Sequence, residues 1–129
     1  MSTFPIPITA IFTGVLALML VAISVRVTVL RAKKKINLLD GGDPEMGRAI
    51  RVQGNFIEYV PMALALMALV EWMGAKPWLV YLLGIALVVA RVAHALGIYS
   101  SVFPARVFGT TLTWILLAVG GLLVLGLVV

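Results

Sequence analysis

Four runs of mostly apolar residues leave this chain few ways to fold in water; they cover about 6–31, 48–73, 77–99 and 105–128. A helix needs about 20 such residues to cross a bilayer's hydrocarbon core, and each run is long enough. In lipid every backbone N–H and C=O must be satisfied within the segment or across a closed barrel, so runs of this length read as helices. Composition agrees: 63% of the 129 residues are hydrophobic and only 12% charged, against about 25% charged in an average soluble domain. The connections after the second and third runs are short, which makes successive helices antiparallel neighbours. The expected fold is an all-α membrane protein, a single domain over 1–129 built as an up-down bundle of four transmembrane helices. No basic stretch precedes the first run, and it is too long for a signal-peptide core, so it reads as a permanent span.

Charge orients the spans. Arg26, Arg31, Lys33, Lys34, Lys35, Arg48, Arg51, Arg91 and Arg106 lie in or beside loops 1 and 3, and Lys76 alone lies in loop 2. By the positive-inside rule loops 1 and 3 face the cytoplasm, with loop 2 and both termini periplasmic. The net charge of +5 is thus placed by topology, and nucleic acid is not an expected partner. Lys33 to Lys35 read as anchors for anionic lipid. Between them and the second span, Asp40-Gly41-Gly42-Asp43-Pro44 is a turn signal, with Asp43 or Pro44 opening the next helix.

One stretch breaks the apolar pattern. At about 100° per residue Arg51, Asn55 and Glu58 fall on a single stripe of the second helix, and Arg48 and Tyr59 widen it to an arc of about 100°. A carboxylate at membrane depth is costly and has to face protein, water or ligand, with a cation nearby. The third span adds Arg91 and His94, one turn apart, and then Tyr99. The fourth opens on Arg106, with Thr110 and Thr113 on the same face. The bland account is an interhelical polar network, with Glu58 bonded to Arg91. Against it stands the count: Glu58 is the one acid among Arg51, Arg91 and Arg106. Surplus cation at partial burial calls for an anion. Carboxylates for arginine, an amine for Glu58 and an amide for Asn55 describe a short acidic peptide. With no cysteine and one histidine, no metal site is expected.

These residues carry a resemblance. Arg51-x-x-x-Asn55-x-x-Glu58-Tyr59-x-Pro61, the preceding Asp40-Gly41-Gly42 turn, Ala90-Arg91-x-x-His94-x-x-Gly97-x-Tyr99 and the later Arg106 resemble the MAPEG family, the membrane-associated proteins of eicosanoid and glutathione metabolism, in its small bacterial branch. The resemblance implies a homotrimer of four-helix bundles in a bacterial inner membrane, with glutathione as co-substrate bound between subunits near the cytoplasmic face. It implies that Arg51, Asn55, Glu58, Tyr59, Arg91, His94, Tyr99 and Arg48 line the glutathione site. Arg106 matches the thiol-activating arginine, and Arg31 matches a basic position reaching in from the adjoining subunit. Two positions depart from the common pattern: Gln53 stands where many members have histidine, and His94 where leukotriene-synthase-like members have tyrosine.

The implied activity is glutathione transferase or peroxidase, with an apolar electrophile or lipid hydroperoxide as the second substrate. A non-catalytic glutathione-binding or scaffold protein fits the same residues. A small multidrug-type exporter fits less well, since the first span lacks an acid and Glu58 sits among arginines that would repel cationic drugs.

Overall fold

The computed structural model describes residues 3–129. Four helices account for nearly all of them: α1 Pro7–Lys34, α2 Pro44–Trp72, α3 Pro77–Tyr99 and α4 Phe103–Val128. All four are long and apolar enough to cross a membrane. The helix α1 runs three residues past the expected span. The helix α2 begins four residues earlier than expected, because the turn itself caps it. Asp43 is the N-cap, its Oδ1 accepting from the Met46 N–H at 2.8 Å with Pro44 next in line. Gly41 and Gly42 take φ of +59° and +73°, the left-handed conformation that glycine adopts without penalty.

Helices α2 and α3 pack on each other at the centre. Each of α1 and α4 touches both of them, and among the described residues α1 and α4 do not touch each other. The core runs along the central pair, where Met46, Val52, Val70, Val80 and Leu87 are almost fully enclosed, with Leu16 of α1 joining them. The flanking helix α4 buries only Gly109, Thr113 and Gly120. That narrow seam of small residues lets its backbone lie against α3 at Gly109 and beside Leu66 of α2 at Gly120, while many of its large apolar side chains face outward, as lipid solvation permits.

Loop 1 is braced by ions. Lys34 Nζ lies 2.9 Å from Asp43 Oδ2 and 3.1 Å from Glu45 Oε2, and Arg26 Nη2 lies 3.6 Å from Glu45 Oε1. The Lys34 ammonium, and then the Met46 N–H, hold the Asp43 carboxyl below the usual carboxylate range. A lowered folded pKa means that this tie is complete above the ordinary carboxylate value and lost as acid drives pH down through the folded one.

The start of α1 is held from a distance. Ile6 at its N-cap offers no side-chain acceptor, so its first amide groups need another partner. Glu71, at the far end of α2, supplies it: Oε1 accepts from Ile8 N–H at 2.8 Å and Oε2 from Thr9 N–H at 2.7 Å. A carboxylate there also meets the positive end of the helix dipole. Glu71→Ala is expected to lower stability by about 1–2 kcal/mol, with Glu71→Gln losing less. Thermal unfolding in detergent micelles checks this, and equal midpoints for all three proteins would remove the capping role.

Candidate functional site

Side chains of α2 leave the helix in three directions near the loop 1 end, and the polar stripe divides accordingly. Inward, Asn55 is buried and its Oδ1 accepts from Arg91 Nη2 at 2.5 Å. Arg91 is 1% exposed. Its Nη1 donates to Thr113 Oγ1 at 3.3 Å, and its Nη2 lies 3.2 Å from His94 Nδ1. Thr113 in turn donates to the Gly109 carbonyl at 2.7 Å, and the guanidinium lies 5.9 Å from the centre of the Phe56 ring. Asn55 of α2, His94 of α3 and Thr113 of α4 thus surround a buried cation that has no carboxylate among its bonded partners.

Outward, Arg51 and Glu58 form an ion pair, Nη2 to Oε2 at 2.7 Å, with both side chains about half exposed. They stand two helical turns apart, and Gly54 between them leaves a clear path. A Cβ there would sit 3.7 Å from the Arg51 guanidinium. The pairing is therefore within α2, and the Glu58–Arg91 bond of the interhelical-network alternative does not form. Beside Arg51 opens a groove of about 310 Å³ lined by Leu39, Asp40, Gly47 and Ile50. Asp40 Oδ1 is occupied by the Gly42 N–H at 2.9 Å.

The third direction points toward loop 3. Arg48 and Arg106 both line a groove of about 230 Å³, with Gly97, Ile98, Ser101 and Phe103. Neither arginine is within ion-pairing distance of an acid among the described residues. Two guanidiniums on one small groove repel each other, and an anion between them relieves that repulsion.

Two further residues lie apart from these grooves. Arg31 Nη1 donates to the backbone carbonyls of Leu39 at 2.8 Å and Ile36 at 3.4 Å, so this side chain is engaged in shaping loop 1. Tyr99 turns toward α1, where the Arg26 guanidinium lies 4.6 Å from its ring centre. Tyr59 is half-buried on α2 next to Glu58.

The structure therefore brings together Arg51 with Glu58, Arg48 with Arg106, and Asn55 with Arg91 and His94. Asp40, named by sequence only as part of the glycine turn, and Ser101 and Phe103, not named at all, join the grooves. The turn reads first as a plain connector, so Asp40 carried no site signal of its own. Ser101 and Phe103 carried none.

Comparison with known proteins follows this geometry. The sequence description of the MAPEG family matches residues 9–126. The chain is also 36% identical over 107 residues to the inner membrane protein YecN of Escherichia coli strain K12, an alignment covering 83% of this chain and 82% of the relative. The YecN protein of Escherichia coli O6:H1 strain CFT073 matches to the same extent.

Proposed function

This chain belongs to the MAPEG family of four-helix membrane proteins, and from that premise we propose that it is an inner-membrane protein acting on glutathione, with loops 1 and 3 cytoplasmic. The observation that carries the reading is the pair of acid-free guanidiniums, Arg48 and Arg106, on one groove, with Arg51 of the half-exposed Arg51–Glu58 pair following Arg48 by three residues along α2. Glutathione offers two carboxylates, one ammonium and one thiol. Its carboxylates suit Arg51 and Arg48, and its ammonium suits the Glu58 oxygen that Arg51 leaves free. Tyr59 lies beside that contact. Asn55, Arg91 and His94 brace α2, α3 and α4 behind the site.

A half-exposed ion pair on a membrane helix faces lipid unless something covers it. A second copy of the chain in a homotrimer, with the ligand between copies, covers it. In that assembly the adjoining subunit brings its Arg31, at the loop 1 end of α1, toward the ligand, with Nη2 left over from the bonds that Nη1 makes within loop 1.

Chemistry then centres on Arg106. A free thiol has a pKa of about 8.5, so only a few per cent is thiolate at neutral pH. A guanidinium close to the sulfur stabilises the anion and raises that fraction. The sulfur anion attacks an apolar electrophile arriving through lipid, expelling its leaving group or forming an adduct that then takes up a proton. With a hydroperoxide it takes the outer oxygen as the O–O bond breaks and the alcohol leaves, and a second glutathione converts the sulfenic acid to disulfide and water. Because the nucleophile belongs to glutathione, a protein without cysteine can run thiol chemistry.

Titrating purified protein with glutathione while following thiolate absorbance in the ultraviolet tests both parts. Wild type is expected to show the thiolate band at neutral pH, and Arg106→Ala to lose it by about tenfold while still binding. Glu58→Gln is expected to weaken binding itself, by about tenfold. No thiolate band at saturating glutathione sinks the activation step. Equal affinity in wild type and Glu58→Gln sinks the ligand assignment. Binding without turnover across a panel of electrophiles and hydroperoxides would identify the protein as a glutathione-binding scaffold.

A further inference from the structure

Loop 1 tucks Ile36 against the core and turns two leucines outward. Leu38 and Leu39 are each 81% exposed, more than any other large apolar side chain among the described residues except Val129. Their backbone is firmly built. Arg31 Nη1 donates to the carbonyls of both Ile36 and Leu39, and Ile36 N–H donates to the Arg31 carbonyl at 3.1 Å. Lys35 and Leu39 both take φ of +56°, a conformation rare for side chains of this size. A strained turn held by three hydrogen bonds, with two leucines at its tip, is placed for contact with something apolar.

Depth and charge identify that contact. The 28 residues of α1 span about 42 Å at 1.5 Å each, comparable to a bilayer with its headgroups at about 40–45 Å. The residues just after Lys34 therefore stand at headgroup level. Lys34 is taken by Asp43 and Glu45, whereas Lys33 and Lys35 are exposed and pair with no acid among the described residues. An anionic headgroup layer offers both the apolar boundary and the opposite charge.

We propose that Leu38 and Leu39, flanked by Lys33 and Lys35 and strutted by Arg31, form an interfacial foot that inserts into the headgroup layer of anionic phospholipid. The leucines reach the acyl boundary and the two ammoniums sit on lipid phosphates. Leu39 is also the rim of the groove beside Arg51, so the foot sets that groove's mouth at the level where membrane-dissolved molecules move. The foot itself stands independently of the glutathione reading.

The absence of cysteine from the chain makes a direct test available. A Leu39→Cys variant carries a single spin label, and its accessibility to oxygen and to a water-soluble nickel complex is measured in vesicles of phosphatidylglycerol and phosphatidylcholine. The label is expected to be open to oxygen and shielded from nickel. Adding Lys33→Gln and Lys35→Gln is expected to shift it toward water, and to lower the preference for phosphatidylglycerol by about fivefold per lysine. Free access of nickel to the label overturns the proposal. So does a label closed to both reagents, which would mean that protein covers the tip. Unchanged depth and lipid preference in the lysine variant would overturn the headgroup contact.

Discussion

An Asn55→Leu variant is expected to lose about 3 kcal/mol of stability, the largest effect of any single substitution near the site. The reason is what it leaves behind. Arg91 is enclosed at 1% exposure and has Asn55, Thr113 and His94 as its polar partners among the described residues. Its Nε already has none. Removing the Asn55 oxygen strands a buried positive charge, and breaking one side of a buried charged contact typically costs about 3–5 kcal/mol. Thr113→Val, which removes a longer bond, is expected to cost about 1 kcal/mol. Adding Arg91→Met to Asn55→Leu is expected to recover much of the loss, since an apolar pair of similar volume needs no partner. A double-mutant cycle followed by unfolding in mixed micelles measures the coupling. Additive costs would show that Asn55 does not support Arg91, and the buried network would then lose its role as the brace behind the site.

The second large effect belongs to Gly109. A Cβ added there would lie 2.5 Å from the Ala90 carbonyl oxygen and 2.6 Å from the His94 backbone nitrogen. Backbone atoms of α3 cannot swing aside as a side-chain tip can, so Gly109→Ala has to push α4 away. Overpacking of this kind costs about 1–3 kcal/mol, and the displacement also lengthens the bond from Arg91 to Thr113. Gly97→Ala makes a related clash, against the backbone of Arg106 itself, and moves the arginine that faces the second groove. Gly121→Ala, with nothing within 4 Å of the added carbon, is the control and is expected to fall within about 0.5 kcal/mol of wild type. If Gly109→Ala unfolded like the control, α4 would not be held to α3 by close backbone approach.

These glycines show how far sequence alone reaches. Gly120, Gly121 and Gly126 read as the close-packing set because they cluster near the end of the fourth span. The structure gives close backbone contact to Gly97 and Gly109, with Gly84 beneath the Phe12 ring. At Gly120 the nearest neighbour is a Leu66 side chain, and the other two face open space. A glycine's lack of a side chain is visible in sequence; which backbone comes near it depends on the crossing of two helices. Glu71 is a parallel case. Its only nearby charge in sequence is Lys76, and 63 residues separate it from the amide of Ile8 that it caps. No local pattern links them.

The polar stripe divides along the same line. Local sequence rules alone specify four spans, a helix opening at Asp43 or Pro44, the glycine turn, the single arc of Arg48, Arg51, Asn55 and Glu58, and the excess of cation over acid. These follow from local rules: hydrophobic length, capping chemistry, and the angle that each residue takes around its own helix. Tertiary structure decided what stands opposite each angle. It enclosed Asn55 with Arg91, left Arg51 and Glu58 to pair on the outer face, and set Arg48 across from Arg106. Positions 40° apart on a helical wheel can face a neighbouring helix or open lipid, and only the packing of α3 and α4 against α2 separates the two.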